Sequence, residues 1–155
     1  MNADRNNFKY SELTGQVIGV FYEVYNELGR GFLESVYAKS LQLALISKGL
    51  IARRKIDVPA TFRGRSVGTF EADMLVENCL LIELKAVRAL DKAHEAQLLN
   101  YLRATEIEVG LLLNFGLEPK FKRMAFDNSR KVGGRKPLSI MELLTLKSEP
   151  DAEKT

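Results

Sequence analysis

The chain has 155 residues, 46% of them hydrophobic and 28% charged, with a formal net charge of +3 and a pI near 9.0. These values describe an ordinary globular chain with enough residues for one core. They exclude three classes: no apolar run approaches the roughly 18–20 residues of a membrane span, the polar N-terminus lacks the apolar centre of a secretory signal, and Cys79 is the only cysteine, leaving no internal disulfide and no cysteine-built zinc site. A cytoplasmic location is the default expectation.

Residues 1–11 are polar and read as a flexible start. Leu13, Val17, Val20, Phe21, Val24 and Leu28 then recur at helical spacing, which predicts a helix over 12–28. Gly29-Arg30-Gly31 ends it, because glycine takes the C-terminal cap geometry cheaply. A second helix over 32–48 places Leu33, Val36, Tyr37, Leu41, Ala44 and Leu45 on one side, and Gly49 closes it. From residue 51 the period changes. IARRKIDVPATF, SVGTFEADMLVE and CLLIELKAV read as strands, bounded by Pro59, Gly64 and Glu77-Asn78. The third is almost continuously apolar, as a strand covered on both faces would be. A helix follows over 91–104, with Asp91 suited to cap it. EVGLLLNF and residues 121–126 complete the strands. The expected order α-α-β-β-β-α-β-β is an α/β layout with a central mixed sheet flanked by helices, the domain running over 12–126. Residues 127–155 read as a basic extension with a short helix near Leu138 to Leu146 and a disordered SEPDAEKT end.

Glu83 and Lys85 interrupt a strand that should be wholly apolar. Two residues apart, they project from the same face. Burying such charges is costly unless they are paired or bound to a metal. If Glu77-Asn78-Cys79 form a hairpin loop, Val76 faces Leu80, Met74 faces Ile82 and Asp73 faces Glu83. Opposed carboxylates repel unless a cation lies between them. Magnesium, with its preference for oxygen donors, suits such a pair, and Lys85 would then position or deprotonate the attacking water or offset transition-state charge. Two alternatives stay open on the residues alone: a cross-strand Glu–Lys pair on an edge strand beside an unrelated aspartate, and a purely structural cation site. The basic run Arg53-Arg54-Lys55 is a candidate for phosphate tracking, with a solvated surface as its bland counterpart.

Asp73-x9-Glu83-Leu84-Lys85 resembles the active-site signature of PD-(D/E)xK nucleases. Gln97-Leu98-Leu99-Asn100-Tyr101 resembles the Q-x-x-x-Y motif of RecB-like nucleases, its ends being neighbours on one helical face. Gly31-Phe32-Leu33-Glu34-Ser35-Val36-Tyr37 matches the G-x-x-E-x-x-Y pattern of the GxxExxY family, and HEAQLLNYL and GLLLNFG look like that family too. The resemblance covers residues 12–126. It implies a restriction-endonuclease-like core, with Mg2+ (Mn2+ as substitute) on Asp73, Glu83 and the backbone carbonyl of Leu84, and Lys85 as catalytic lysine. It further implies that Glu34 approaches the metal, that Gln97 orients Lys85 or the nucleophilic water, and that Tyr101 contacts the nucleic-acid backbone. His94, on the face of Gln97, is a further candidate for a phosphate contact, against the bland reading of a helix-end residue.

The leading expectation is therefore a Mg2+-dependent nuclease acting on DNA. The alternative is a catalytically slow nucleic-acid-binding or regulatory module that keeps the nuclease fold. In either case a partner protein, a homodimer or DNA structure would supply specificity.

Overall fold

The structure is a computed structural model in which residues 9–131 and 136–146 are described. Residues 1–8 of the expected flexible start (1–11), the SEPDAEKT end and Arg135 of the basic extension lie outside the described residues, whereas Lys9 donates to Glu108 and Ser11 already begins the first helix. Helices α1 (Ser11–Leu28) and α2 (Glu34–Ser47) precede strands β1 (Ala52–Phe62), β2 (Arg65–Val76) and β3 (Leu80–Lys85). Helix α3 (Lys92–Ala104) then leads to β4 (Val109–Phe115), β5 (Pro119–Ala125), a short 3-10 turn at Asn128–Arg130 and α4 (Ile140–Thr145).

The strands form one sheet in the order β1-β2-β3-β4-β5. Only β3 and β4 run parallel; α3 makes the crossover between them, and the other neighbours are antiparallel. Two apolar clusters cover the two faces. On one side Val17, Phe21, Tyr37 and Leu41 of α1 and α2 pack on Met74, Ile82, Leu84, Leu111 and Leu113. On the other, Leu98 and Leu102 of α3 and Leu143 of α4 pack on Leu75, Leu81 and Leu112. With helices on both faces, β3 and β4 need no polar side, and β4 is buried at every position. The sheet is thus mixed and flanked by helices, as the residue pattern predicts.

The hairpin between β2 and β3 has the anticipated register: Val76 faces Leu80, Leu75 faces Leu81 and Met74 faces Ile82. Glu77 and Asn78 both take left-handed backbone angles (φ 52° and 56°), and Cys79 N–H donates to Val76 O at 3.1 Å. Such a turn matches the natural twist of the flanking strands. Because β3 is the central strand, a Glu–Lys pair on a sheet edge is excluded.

One irregularity shapes everything that follows. In β1, Ala52 joins the α1/α2 cluster, while Ile56 and Val58 join the opposite one. In a flat strand those even-numbered positions would share a face. Lys55 stands between them with φ 59°, and the ladder skips the Lys55–Asp73 position between Arg54–Met74 and Ile56–Ala72. The β1–β2 ribbon therefore turns over at Asp73. β2 pairs with β3 only at Met74, Leu75 and Val76. Beyond them it parts from the central strand, and its first seven residues, Arg65 to Glu71, are exposed.

A second fixed point lies at the C-terminal end of β3. Asn114 of β4 clips the chain after β3, its Oδ1 accepting from Val87 N–H at 3.0 Å and its Nδ2 donating to Val87 O at 2.9 Å. Next to it, a Cβ on Gly116 would lie 2.0 Å from Val87 O. Only glycine allows that approach. Gly116→Ala is expected to lower stability by about 1–3 kcal/mol, because one backbone segment must move away from another. Thermal unfolding checks this, with a fall in Tm of roughly 3–10 °C for a chain of this size; an unchanged Tm would mean the two segments are not held together.

Candidate metal centre

The parting of β2 from β3 leaves Glu83, Leu84 and Lys85 without a backbone partner on that side, and side chains fill the gap. Asp73 Oδ2 accepts from Leu84 N–H at 2.7 Å, and Glu83 Oε1 accepts from Asp73 N–H at 3.0 Å. The acids thus replace two rungs of the ladder, and each carboxylate is oriented by the other's strand. Glu83 is only 2% exposed. Leu84 itself points into the core, so only its backbone reaches this place.

Lys85 is half-buried beyond the pair, its Nζ donating to Gln97 Oε1 at 3.1 Å. Gln97 Nε2 donates in turn to the Tyr101 hydroxyl at 3.3 Å, so the spacing of four residues on α3 becomes a continuous chain, Lys85–Gln97–Tyr101. Asp91 starts α3 by accepting from Ala93 N–H and His94 N–H, while His94 Nδ1 accepts from Asp91 N–H at 3.1 Å. This reciprocal cap fixes the first turn, three residues ahead of Gln97. Across the site, Glu34 opens α2, and its Oε1 accepts from Ala86 N–H at 3.3 Å.

The electrostatics follow from this crowding. Burial is the main cause pushing Glu83 up to about 8, and the charge of Asp73 adds to it. Asp73 is also raised, by burial first and by Glu34 second, while the Leu84 amide and Lys85 pull it down. The Tyr101 phenol is pushed up to about 12 by burial and then by Glu83. At neutral pH, with no cation bound, the pair therefore keeps a proton, with Glu83 the more strongly raised of the two. Two oxygen-rich acids that cannot both ionise suit a hard divalent cation, which would take the proton's place if bound. Among the described residues, no three His, Cys, Asp or Glu side chains gather closely enough to hold an ion by themselves. Two carboxylates with a backbone carbonyl and water form the sparser set that magnesium accepts.

Asp73, Glu83, Lys85 and Gln97 are thus brought together, with Glu34 close enough for its charge to act on Asp73. The remaining expected residues are placed differently. Tyr101 is 3% exposed; its ring packs in the core beneath α3 and its hydroxyl meets Gln97. His94 serves the cap of α3. Arg53 reaches Asn78 at the hairpin turn, its Nε 3.4 Å from Oδ1. Arg54 is half-buried and faces Met74 across the ladder, whereas Lys55 stands at the level of Asp73. The basic run is therefore split by the turnover of its own strand. Tyr37 of the G-x-x-E-x-x-Y pattern is fully buried, stacks on Phe115 with centroids 4.4 Å apart, and donates to Gly29 O at 2.6 Å. It holds the loop ahead of α2. Arg30 and Arg88 were not singled out from the sequence, yet both line a cavity of about 860 Å³ beside Ala86 and Gly116. Their signal is faint: one arginine between two glycines, another three residues past Lys85.

A central mixed sheet whose second and third strands part around two acids, with a lysine on the same face, is the core of restriction-endonuclease-like domains. The chain belongs to the PD-(D/E)XK nuclease superfamily, whose sequence model matches residues 11–124. The crystal structure of SSO0001 aligns with 94% of this chain and 72% of its own length, at 18% identity and a TM-score of 0.44. No curated protein matches the chain at a significant level. No helix among the described residues is long and apolar enough to cross a membrane.

Proposed function

We propose that the chain hydrolyses phosphodiester bonds in DNA, with Mg2+ held by Asp73, Glu83 and the Leu84 carbonyl, and Mn2+ able to replace it. The observation that carries this reading is the mutual bonding of Asp73 and Glu83 to each other's strand, with Lys85 pinned beside them by Gln97. A cation at that position would lower the pKa of a bound water and offset charge on phosphoryl oxygens. Lys85 faces the same space, to donate to the developing charge or take the water's proton. Gln97 orients Lys85, and Tyr101 steadies Gln97 from the core. Glu34 approaches from α2 as a further oxygen donor through water. Arg30 and Arg88, lining the cavity beside Ala86, whose N–H meets Glu34, and Lys55, level with Asp73, are suited to hold phosphates on either side of the scissile bond. Base contacts that would give sequence preference are left to a partner protein or a second copy.

The test is cleavage of linear, nicked, branched and single-stranded DNA by the purified chain in Mg2+, in Mn2+ and in chelator. Product that appears only with metal is expected. Tight DNA binding without product in either metal would instead favour the slow or regulatory module. The role of Gln97 has its own check. Gln97→Leu is expected to lower kcat about 10–100-fold while leaving Mg2+ affinity and KM nearly unchanged, the usual size of an effect exerted through a second residue. A change in KM alone would remove Gln97 from this role.

A further inference from the structure

Beside the catalytic chain lies a cavity of about 700 Å³ that the reading above does not use. It is walled by the free arm of β1–β2 on one side and by α3 and the segment after β5 on the other. Its lining combines an exposed Phe70, a half-buried Phe126 and the buried Tyr101 with the cations Arg103, Arg130 and Lys136, and no Asp or Glu. Phe70 is 51% exposed, and its ring centroid lies 6.1 Å from that of Tyr101. The guanidinium groups of Arg103 and Arg130 lie 5.2 and 4.8 Å from the Phe126 ring centroid. Lys131, by contrast, is committed to the fold, donating to Thr105 O and Ile107 O at 2.7 Å each.

We infer that this cavity receives the unpaired bases of a DNA strand next to the phosphate presented to Asp73, Glu83 and Lys85. Aromatic faces and guanidinium planes stack on bases of any sequence, and the cations track the backbone between them. A duplex offers only its phosphates to such a lining, because its base faces are already stacked; cations alone would have sufficed for it. Tyr101 joins the two places: buried at the back of the cavity, it meets through its hydroxyl Gln97, which holds Lys85. A strand seated here lies one residue, Tyr101, away from Gln97 and the lysine it holds. The substrate class that follows is DNA with an unpaired segment: a single strand, a flap or a frayed end.

This inference rests on the proposed nuclease reading for its position on the strand, but its test does not require cleavage. Fluorescence anisotropy in chelator compares a labelled oligothymidylate with a blunt duplex of equal length. Phe70→Ala and Arg103→Ala, both exposed positions, are each expected to weaken oligothymidylate binding at least fivefold, the low end for loss of one stacking partner. Duplex binding should change less than twofold, and Phe70→Trp should restore single-strand affinity. Circular dichroism melts confirm that each variant is folded. Unchanged oligothymidylate affinity in both folded variants overturns the inference, as does equal weakening for duplex and single strand. If binding responds as expected but the wild-type chain cleaves nothing in Mg2+ or Mn2+, the cavity stands and the nuclease reading fails.

Discussion

Asp73→Asn and Lys85→Ala are each expected to lower kcat/KM for DNA cleavage by about a thousandfold or more, the scale at which groups acting as a unit fail. The choice of asparagine matters. Asp73 is also a structural acceptor for Leu84 N–H. Asparagine keeps an oxygen there while removing the charge that a cation needs. Its fold should therefore survive, with Tm within a few degrees of wild type, so that loss of cleavage reports chemistry. Lys85→Ala removes the ammonium but leaves Gln97 bound to Tyr101. The double variant should be no worse than either single one, since both act on the same step. Lys85→Arg separates two roles: retained cleavage means the lysine acts by charge, and loss means it moves a proton, which arginine cannot do. Residual activity within tenfold of wild type in both single variants would leave the proposed mechanism without its residues.

Metal binding should expel a proton, and that proton makes the metal-free protein less stable as pH rises. In chelator the folded chain holds Glu83 protonated up to about pH 8, while its unfolded form ionises near the ordinary value of 4.5. Between those limits the folded state carries the extra proton. Stability is therefore greatest at the acid end of the window and falls through it, by on the order of 2–4 kcal/mol. Glu83→Gln imitates the neutral acid, so its stability should be flat across the same window. Mg2+ affinity should behave oppositely, rising with pH and levelling near 8, and should be largely lost in Glu83→Gln. Calorimetry in two buffers of different ionisation enthalpy reads the released proton directly. If Mg2+ binds equally well at pH 6 and pH 8 and releases no proton, the cation does not sit on Glu83.

Much of this was legible in the chain. The helices expected over 12–28, 32–48 and 91–104 correspond to α1, α2 and α3. Helix α1 buries the stripe Val17, Val20, Phe21 and Val24, and α3 starts at its Asp91 cap, whereas α2 begins only at Glu34 and Leu33, expected on its apolar side, is 77% exposed ahead of it. The β2–β3 register could be read because a slip by one residue would have turned Met74, Ile82 and Leu84 away from the helices that cover them. That register placed Asp73 against Glu83. The turnover at Lys55 was not legible. A lysine in the left-handed region is a local penalty of about 1–2 kcal/mol imposed by the whole sheet, and no neighbouring residue announces it. Its consequences were missed with it, among them the splitting of Arg53-Arg54-Lys55. Tyr101 was placed on the nucleic acid by its motif, whereas burial among Leu98, Leu102 and Ile107 is a property of packing. Arg30 and Arg88 line one cavity, and the Asn114 clip and Gly116 contact that hold Val87 beside Arg88 are both long-range.

The two amides that replace missing rungs of the ladder make a built-in gauge of occupancy. Asp73 N–H and Leu84 N–H are held only by carboxylates, so anything that redistributes charge on those acids alters how often each amide opens to solvent. Deuterium uptake at these two positions, set against the steady rungs at Met74 and Ile82 next door, should slow when a cation is seated. The loading of the centre can then be followed residue by residue on DNA that the protein never cuts.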